Sequence, residues 1–359
     1  MEPPAEHIDT SGDAMRATTG YRATAPNTPL ERAVLERREL RPGDVAVEVS
    51  HCGVCHTDLH LTSDPSGTYP VTPGHEFVGT VTAVGSDVTD FSVGDAVAVG
   101  NIVDSCGRCD MCVADQENFC REFPTLTYGG TDRIDGTTTI GAYSREYVAR
   151  DAFVYRRPVG LDPAAVAPLM CAGVTVWEPL RRWNVGPGVR VGIAGIGGLG
   201  HLAVKFARAL GAEVTVITTS ATKVGEAAAL GADSTVVSTN TEQMFAARGS
   251  LDLIVDCVPV PHDVAPYLSL LALDGTLCSL GFLGPQSIEI MDLLVGRKSL
   301  SSAGSGGRRY TQEMLDFCGE HGITADVETV PSAEVGHAFD RLRKGNVRYR
   351  FVLDMSDLD

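Results

Sequence analysis

One stretch in the second half of the chain constrains its fold more than any other: "VRVGIAGIGGLGHLAVKFARALGAEVTVITTS", Val189 to Ser220. An apolar run ends in a turn containing Gly195, Gly197, Gly198 and Gly200. Leu202, Val204, Phe206, Ala209 and Leu210 then follow at helical spacing, and Val214 to Thr218 is a second apolar run of strand length. Strand, glycine turn, helix and strand form a βαβ unit. Leu253 to Cys257, Thr276 to Leu280 and Ser299 to Ala303 read as further strands, with a helix over Val264 to Leu271 between the first two. Alternation of this kind builds a doubly wound parallel sheet.

In that context the glycine pattern points to a dinucleotide. The glycines, with Leu199 where the helix begins, let the backbone approach a pyrophosphate, and the helix turns its free amides and positive end towards it. The alternative is a glycine-rich loop without a ligand. NAD binders place a carboxylate at the end of the second strand to take the ribose hydroxyls. Here that end reads Thr218, Thr219, Ser220 and then Lys223, while Glu213 stands at the wrong end of the strand. A carboxylate would repel a 2′-phosphate, whereas hydroxyls and an ammonium accept it. NADP(H) is therefore expected in preference to NAD(H), an indifferent solvated turn being the alternative.

A chain of 359 residues is long enough for two domains. Its net charge of -17 disfavours nucleic acid and anionic membranes as partners; beyond solubility, it also fits a high-salt habitat. The opening MEPPAEHIDTSGDAM has neither a basic nor an apolar segment of the kind a secretory signal needs, and reads as a loose tail. The most apolar stretch, Val189 to Val204, is interrupted by glycines and followed by Lys205, so it is too broken to span a bilayer. The cytoplasm is the expected location.

Residues 105 to 120 read "SCGRCDMCVADQENFC". Reduced cytosolic thiols at such spacing are metal or redox ligands more often than disulfides. Cys106, Cys109, Cys112 and Cys120 can wrap one ion tetrahedrally, and a zinc ion with four protein sulfurs has no position left for a substrate. This lobe is expected to be structural. An iron–sulfur cluster competes, but the bacterial run closes with a three-residue gap and a proline, whereas Arg121 follows Cys120. Unmetallated or redox thiols are the remaining alternative.

Three further segments, "HCGVCHTDLH" (His51 to His60), "PGHEFVG" (Pro73 to Gly79) and "PLMCAGVT" (Pro168 to Thr175), each offer a soft or borderline ligand. If Cys55, His75 and Cys171 converge, they make a Cys2His site with one open position, as catalytic zinc requires. Spacing alone does not establish convergence.

GVCHTDLH, PGHEFVG, the four-cysteine lobe, CAGVT, GIGGLG and the terminal NVRYRFVLDM stand in an order that resembles the zinc-dependent medium-chain alcohol dehydrogenases, specifically the cinnamyl-alcohol-dehydrogenase-like branch. The likeness runs from about residue 16 to about residue 355. It implies a GroES-like β-rich catalytic domain (16–166 and 305–359, with the zinc lobe at 104–121), a Rossmann nucleotide domain (167–304) and a tail at 1–15. It also implies two Zn2+ per chain, the catalytic one held by Cys55, His75 and Cys171 with Glu76 as alternative ligand.

By the same resemblance Asp58 orients His75, although helix capping would also explain an aspartate there. Thr57 begins a proton relay that His60 continues, with a cofactor ribose hydroxyl as another member; His56 assists at the pyrophosphate, and Val258 to Val260 with the Leu280–Gly281–Phe282 turn flank the nicotinamide, core packing being the alternative for each valine. Arg348 and Arg350 are expected to be ion-paired, or brought towards the cofactor. The implied activity is reversible hydride transfer between NADPH and an aldehyde, giving a primary alcohol, by a homodimer or tetramer.

The plant members' tryptophan beyond the lobe is missing, Thr125 to Tyr128 holds a small insertion, and Trp177, Glu178 and Pro179 replace an aromatic-serine-proline. Broad specificity is therefore expected rather than a dedicated lignin enzyme. The alternatives are a zinc-free NADPH-dependent enone or quinone reductase of the same superfamily and a non-enzymatic zinc and nucleotide binding protein.

Overall fold

The structure, a computed structural model, describes residues 15–281 and 284–358. The tail expected at 1–15 lies outside them except for Met15, which already belongs to a strand, and Phe282 lies outside them too.

Strands β1 (Met15–Arg22) and β2 (Glu31–Arg38) form an antiparallel hairpin. β3 (Asp44–Val54), β4 (Phe77–Val84) and β5 (Ala96–Val99) follow as antiparallel neighbours. The short β6 (Ile102–Asp104) and β7 (Thr125–Leu126) bracket the four-cysteine loop. β8 (Glu146–Arg150) joins β3, and β9 (Val154–Arg156) joins β5.

The glycine-rich half supplies a parallel sheet: β10 (Arg190–Ala194), β11 (Glu213–Thr218), β12 (Ser234–Val237), β13 (Leu251–Asp256), β14 (Leu271–Ser279) and β15 (Ser299–Ser302). Their spatial order is β12-β11-β10-β13-β14-β15. The chain then leaves: β16 (Val327–Pro331) and β17 (Arg350–Asp354) return to the first sheet, where β17 pairs antiparallel with β3. The order reverses between β10 and β13. Ligands of open parallel sheets bind in the crevice beyond the strand ends at such a point, and the glycine turn follows β10 there.

The central parallel strands are apolar runs because both of their faces are covered. On one face Trp177, from the helix Ala172–Arg182, packs its ring 5.3 Å from Phe206 and 4.7 Å from Phe317. On the other lie Ile217, Ile254, Leu268 and Leu277. Truncating a fully buried aromatic such as Trp177 costs about 3–5 kcal/mol. The first sheet has its own core of Val47, Phe77, Val97, Tyr147 and Phe351.

The helix Arg308–His321 crosses the seam between the two units. Met314, Leu315 and Cys318 enter the core beside Trp177, while Gln312 accepts from the Arg156 amide at 3.0 Å. The division expected at 304/305 is thus bridged by packing. Two elements are shorter than the sequence suggests. The helix expected over Val264 to Leu271 is the single turn Ala265–Leu268, because Leu271 already pairs with Leu251 in the sheet. The run Ile323 to Val330, apolar enough to read as one strand, becomes strand only from Val327, since Gly322 turns left-handed at φ 65° and Ile323 folds back to bond the Cys318 carbonyl.

Candidate active site

Three element ends meet beside the crevice. Cys55 is the N-cap of the helix His56–Leu61, directly after β3. His75 follows Gly74, whose φ of 102° suits glycine, just before β4. Cys171 is the N-cap of the helix Ala172–Arg182. Donor atoms of Cys55, His75, Glu76 and Cys171 all lie within 4.8 Å of one another, with His75 Nε2 3.3 Å from Cys171 Sγ. The convergence that spacing could not establish is present.

The donor set suits a zinc ion. Nδ1 of His75 donates to Oδ1 of Asp58 at 3.0 Å, so that in the neutral ring, the form that binds a metal, Nε2 turns its lone pair towards the two sulfurs. A tetrahedral ion with bonds of about 2.0–2.3 Å sets its ligand atoms roughly 3.3–3.8 Å apart. A hydrogen bond shared by the two thiols holds Cys55 well below the usual thiol range and pushes Cys171 well above it. Burial opposes charge on His75, yet Asp58 and Cys55 keep its imidazolium well above the ordinary value.

Asp58 both orients and caps. Its Oδ2 accepts from the Cys55 amide at 2.9 Å, capping the short helix, while Oδ1 takes His75. Glu76, expected as an alternative ligand, is turned aside: both its carboxylate oxygens accept from Arg350 Nη2. A side chain at Gly53 would overlap that carboxylate, so glycine makes room for it. Burial lifts the Glu76 carboxyl to about 7 despite Arg350, whose guanidinium is in turn held above its usual range against the cost of burial. Arg350 therefore joins the site, whereas Arg348 pairs with Glu226 at 3.0 Å on the surface.

The four-cysteine lobe closes on itself. Cys109 Sγ lies 3.5 Å and Cys106 Sγ 3.9 Å from Cys112 Sγ, matching the edges of a tetrahedron of sulfurs. Backbone amides point at the sulfurs, Cys109 N at Cys106 Sγ (3.4 Å) and Cys106 N at Cys120 Sγ (3.5 Å). The amides of Arg121 and Cys112 draw the Cys109 thiol down to about 6. These four donors are all thiols, and no titratable group of the other cluster belongs to this one.

At the crevice, Gly195 adopts φ 84°, and a side chain at Gly200 would overlap the Gly195 carbonyl. Gly197 faces open space, and a Cβ on Gly198 would come within 2.8 Å of Arg350 Cδ, so the glycine turn lies against the arginine that holds Glu76. Leu199 caps the helix Gly200–Ala209. Lys223 Nζ donates to the Ile196 carbonyl at 3.4 Å, which brings the end of β11 to the glycine turn. Thr218 is buried and its hydroxyl accepts from the Ser220 amide, while Thr219 is exposed. Val258 packs on Gly195, and Gly281 lies just past the end of β14.

Thr57 Oγ1 accepts from Cys55 Sγ at 3.6 Å. The two relay residues are not in direct contact: His60 is exposed, its ring is 6.4 Å from that of His56, and no hydrogen bond among the described residues joins it to Thr57. Both rings lie on the outer face of the short helix, which turns Asp58 and Leu59 inward instead. Cys257, Cys278 and Cys318 are buried among apolar neighbours.

Three polar side chains carry no expectation from the sequence. Tyr128 and Tyr143 donate to Asp58 at 2.8 and 3.3 Å. His201, just after the glycine turn, is fully buried; its Nδ1 donates to the Gly197 carbonyl (2.9 Å), its Nε2 accepts from the Asp326 amide (3.2 Å), and its ring stacks on Tyr349. His201 stands in view inside the fingerprint, whereas no local pattern marks the tyrosines.

Comparison with known proteins agrees with this geometry. Residues 41–159 match the alcohol dehydrogenase GroES-like domain, and residues 198–320 match the zinc-binding dehydrogenase domain. NADP-dependent alcohol dehydrogenase C 1 of Mycolicibacterium smegmatis is 43% identical over 348 residues, covering 96% of this chain and 99% of its own. Aldehyde reductase YahK of Escherichia coli is 44% identical, over 95% and 98% of the two chains. A cinnamyl alcohol dehydrogenase from Sorghum bicolor superimposes with a TM-score of 0.92 at 42% identity, over 96% of this chain and 99% of that one. Likeness of this extent, over both units, makes the chain a member of the zinc-dependent medium-chain alcohol dehydrogenases, on their cinnamyl-alcohol-dehydrogenase-like branch.

Proposed function

We propose that the protein is a zinc-dependent NADP(H) alcohol dehydrogenase that acts as a broad aldehyde reductase. Hydride passes reversibly between NADPH and the carbonyl carbon, a proton joins the oxygen, and a primary alcohol results. The observation that carries this reading is the meeting of Cys55, His75 and Cys171 donors next to the glycine turn, with Arg350 between them. Bound there, zinc supplies a Lewis acid for the carbonyl oxygen and NADPH supplies the hydride.

The chain's own residues hold and shield these groups. Cys55, His75 and Cys171 would bind the catalytic ion, and Cys106, Cys109, Cys112 and Cys120 the structural one. Asp58 fixes the tautomer of His75. Thr57, beside Cys55, is the first hydroxyl able to pass a proton, and its exposure lets water take the next step. Arg350 neutralises Glu76 and stands against the turn that would receive the pyrophosphate, where His56 would also assist. NADP over NAD is supported by Thr218, Thr219, Ser220 and Lys223, by the lack of a carboxylate at the end of β11, and by the cofactor in the mycobacterial relative's name.

Assembly as a homodimer is part of the reading. β15 ends the parallel sheet among the described residues; Leu300 on it is exposed, as are Ile290, Leu294 and Val295 in the segment leading into it. An uncovered strand edge flanked by apolar side chains invites a second copy across a twofold axis. Leu294→Asp should give a monomer in sedimentation; an unchanged oligomer would remove β15 from the interface. No described helix is long and apolar enough to cross a membrane, and the ten free cysteines support a reducing, cytoplasmic setting.

An NADPH-oxidation screen over aliphatic, aromatic and terpenoid aldehydes, with zinc counted in the same preparation, tests the proposal. Turnover of several aldehydes with about two zinc ions per chain is expected. Oxidation driven only by enones, with the open site empty of zinc, would overturn it in favour of a reductase acting on carbon–carbon double bonds. Thr219→Asp should weaken NADPH more than NADH, and equal kinetics with both cofactors in the parent would undo the cofactor assignment.

A further inference from the structure

Asp58 has no exposed surface, and among the described residues none of the donors that bond to it is an arginine or a lysine. Instead five other donors converge on its carboxylate. Oδ1 accepts from His75 Nδ1 (3.0 Å), the Gly74 amide (3.1 Å) and the Tyr128 hydroxyl (2.8 Å). Oδ2 accepts from the Cys55 amide (2.9 Å) and the Tyr143 hydroxyl (3.3 Å). An ionised carboxylate offers about four lone-pair sites, so these donors leave it no freedom to turn.

The two backbone donors belong to the segments carrying Cys55 and His75. The two phenols come from elsewhere: Tyr128 from the stretch after the lobe, and Tyr143 from the segment before β8. Burial keeps both phenols well above their usual range, so each remains a donor. The Tyr128 ring also lies 5.7 Å from that of His75, confining the imidazole from its side.

We infer that Tyr128 and Tyr143 are positioning residues for the open metal site: their hydroxyls pin the Asp58 carboxylate, and through it aim Nε2 of His75. The inference rests on the reading of Cys55, His75 and Cys171 as zinc ligands. The two phenols are unequal. Tyr128 makes the shorter bond to the oxygen that holds His75, while the Tyr143 proton is shared with the Gly53 carbonyl at 3.5 Å. Losing the Tyr128 hydroxyl should therefore matter more.

Zinc release from the full-length holoprotein to excess chromogenic chelator tests this, because the lobe provides an internal reference. The parent should release two ions per chain in two phases, the lobe phase being the one missing in Cys112→Ser. Outer partners of metal ligands are worth about 10–100-fold in affinity. Tyr128→Phe, which keeps the ring, should speed the open-site phase about tenfold, at the low end of that range, and leave the lobe phase unchanged. Tyr143→Phe should do the same to a smaller degree. In the cobalt-substituted protein, Tyr128→Phe should also shift the visible bands of the open site.

An open-site phase within twofold of the parent, or equal acceleration of both phases, would overturn the inference. If Tyr128→Phe does not fold, Tyr143→Phe decides by the same criterion. A parent that holds only the lobe ion would overturn the proposed function itself, whereas two ions with no selective change would overturn this inference alone.

Discussion

The lobe and the open cluster are both built around cysteine, yet they are held by different means. Cys106 to Cys120 is one continuous segment, its sulfurs receive backbone amides, and its flanking ion pairs, Arg108 with Glu122 and Arg121 with Asp110, are exposed. Such surface pairs contribute little. In the open cluster the ligands stand at positions 55, 75 and 171, and of the groups that set them Asp58 and Glu76 share the ligands' segments, while Tyr128, Tyr143 and Arg350 come from three more places. All five are buried. A site that leaves one position free for substrate has only three protein ligands to define it, so the surrounding fold must supply the precision that a fourth thiolate gives the lobe.

The largest effect expected from breaking this contrast lies in chemistry. Cys55→Ala removes a ligand of the open ion, whose Lewis acidity is worth several kcal/mol, so turnover should fall at least about a thousandfold. NADPH binding, measured by fluorescence titration, should persist, since the glycine turn rests on Val258, Arg350 and Lys223 rather than on Cys55. Substantial remaining activity would take the open cluster out of the reaction.

Next in size is stability. Cys112→Ser opens the lobe, and loss of a structural ion costs folding free energy directly. The unfolding midpoint should drop by at least about 5 °C, while kcat measured well below that midpoint stays within about threefold of the parent. Loss of turnover in a folded Cys112→Ser protein would mean that the lobe shapes the cleft as well as bracing it.

The same contrast explains what is legible in the sequence. Four cysteines within one short segment announce a closed site because the backbone itself brings them together. The glycine turn is legible for a similar reason: a strand, its turn and the following helix are contiguous, and φ 84° at Gly195 is a local demand. The convergence of Cys55, His75 and Cys171 is available only from resemblance, since it depends on where β3, β4 and the helix Ala172–Arg182 are set by two packed cores. Tyr128 and Tyr143 carry no signal, because a tyrosine in a loop acquires its partner only when distant segments close over it. Thr57 and His60 do not touch directly for a helical reason: the turn that points Asp58 inward places His56 and His60 on the opposite face.

The smallest effect sharpens the contrast away from either metal. His201 ties the Gly197 carbonyl to the Asp326 amide across the seam between the units, and burial lowers its imidazole to about 4. The sign follows from linkage: below about 6.5 the unfolded chain takes up a proton that the folded chain refuses until about 4. Stability from this group is therefore fully present above about pH 6.5 and is lost as pH falls towards 4, by at most about 3 kcal/mol. His201→Gln should lower the urea midpoint at pH 7, where the bridge is lost, but should show a shallower fall between pH 6.5 and 4.5 than the parent. Acid also strips metal from both clusters, so the difference between parent and variant at each pH carries the result. Parallel curves would mean that the bridge holds the seam without making it sensitive to acid, and that the dispersed half of the molecule titrates no differently from the lobe.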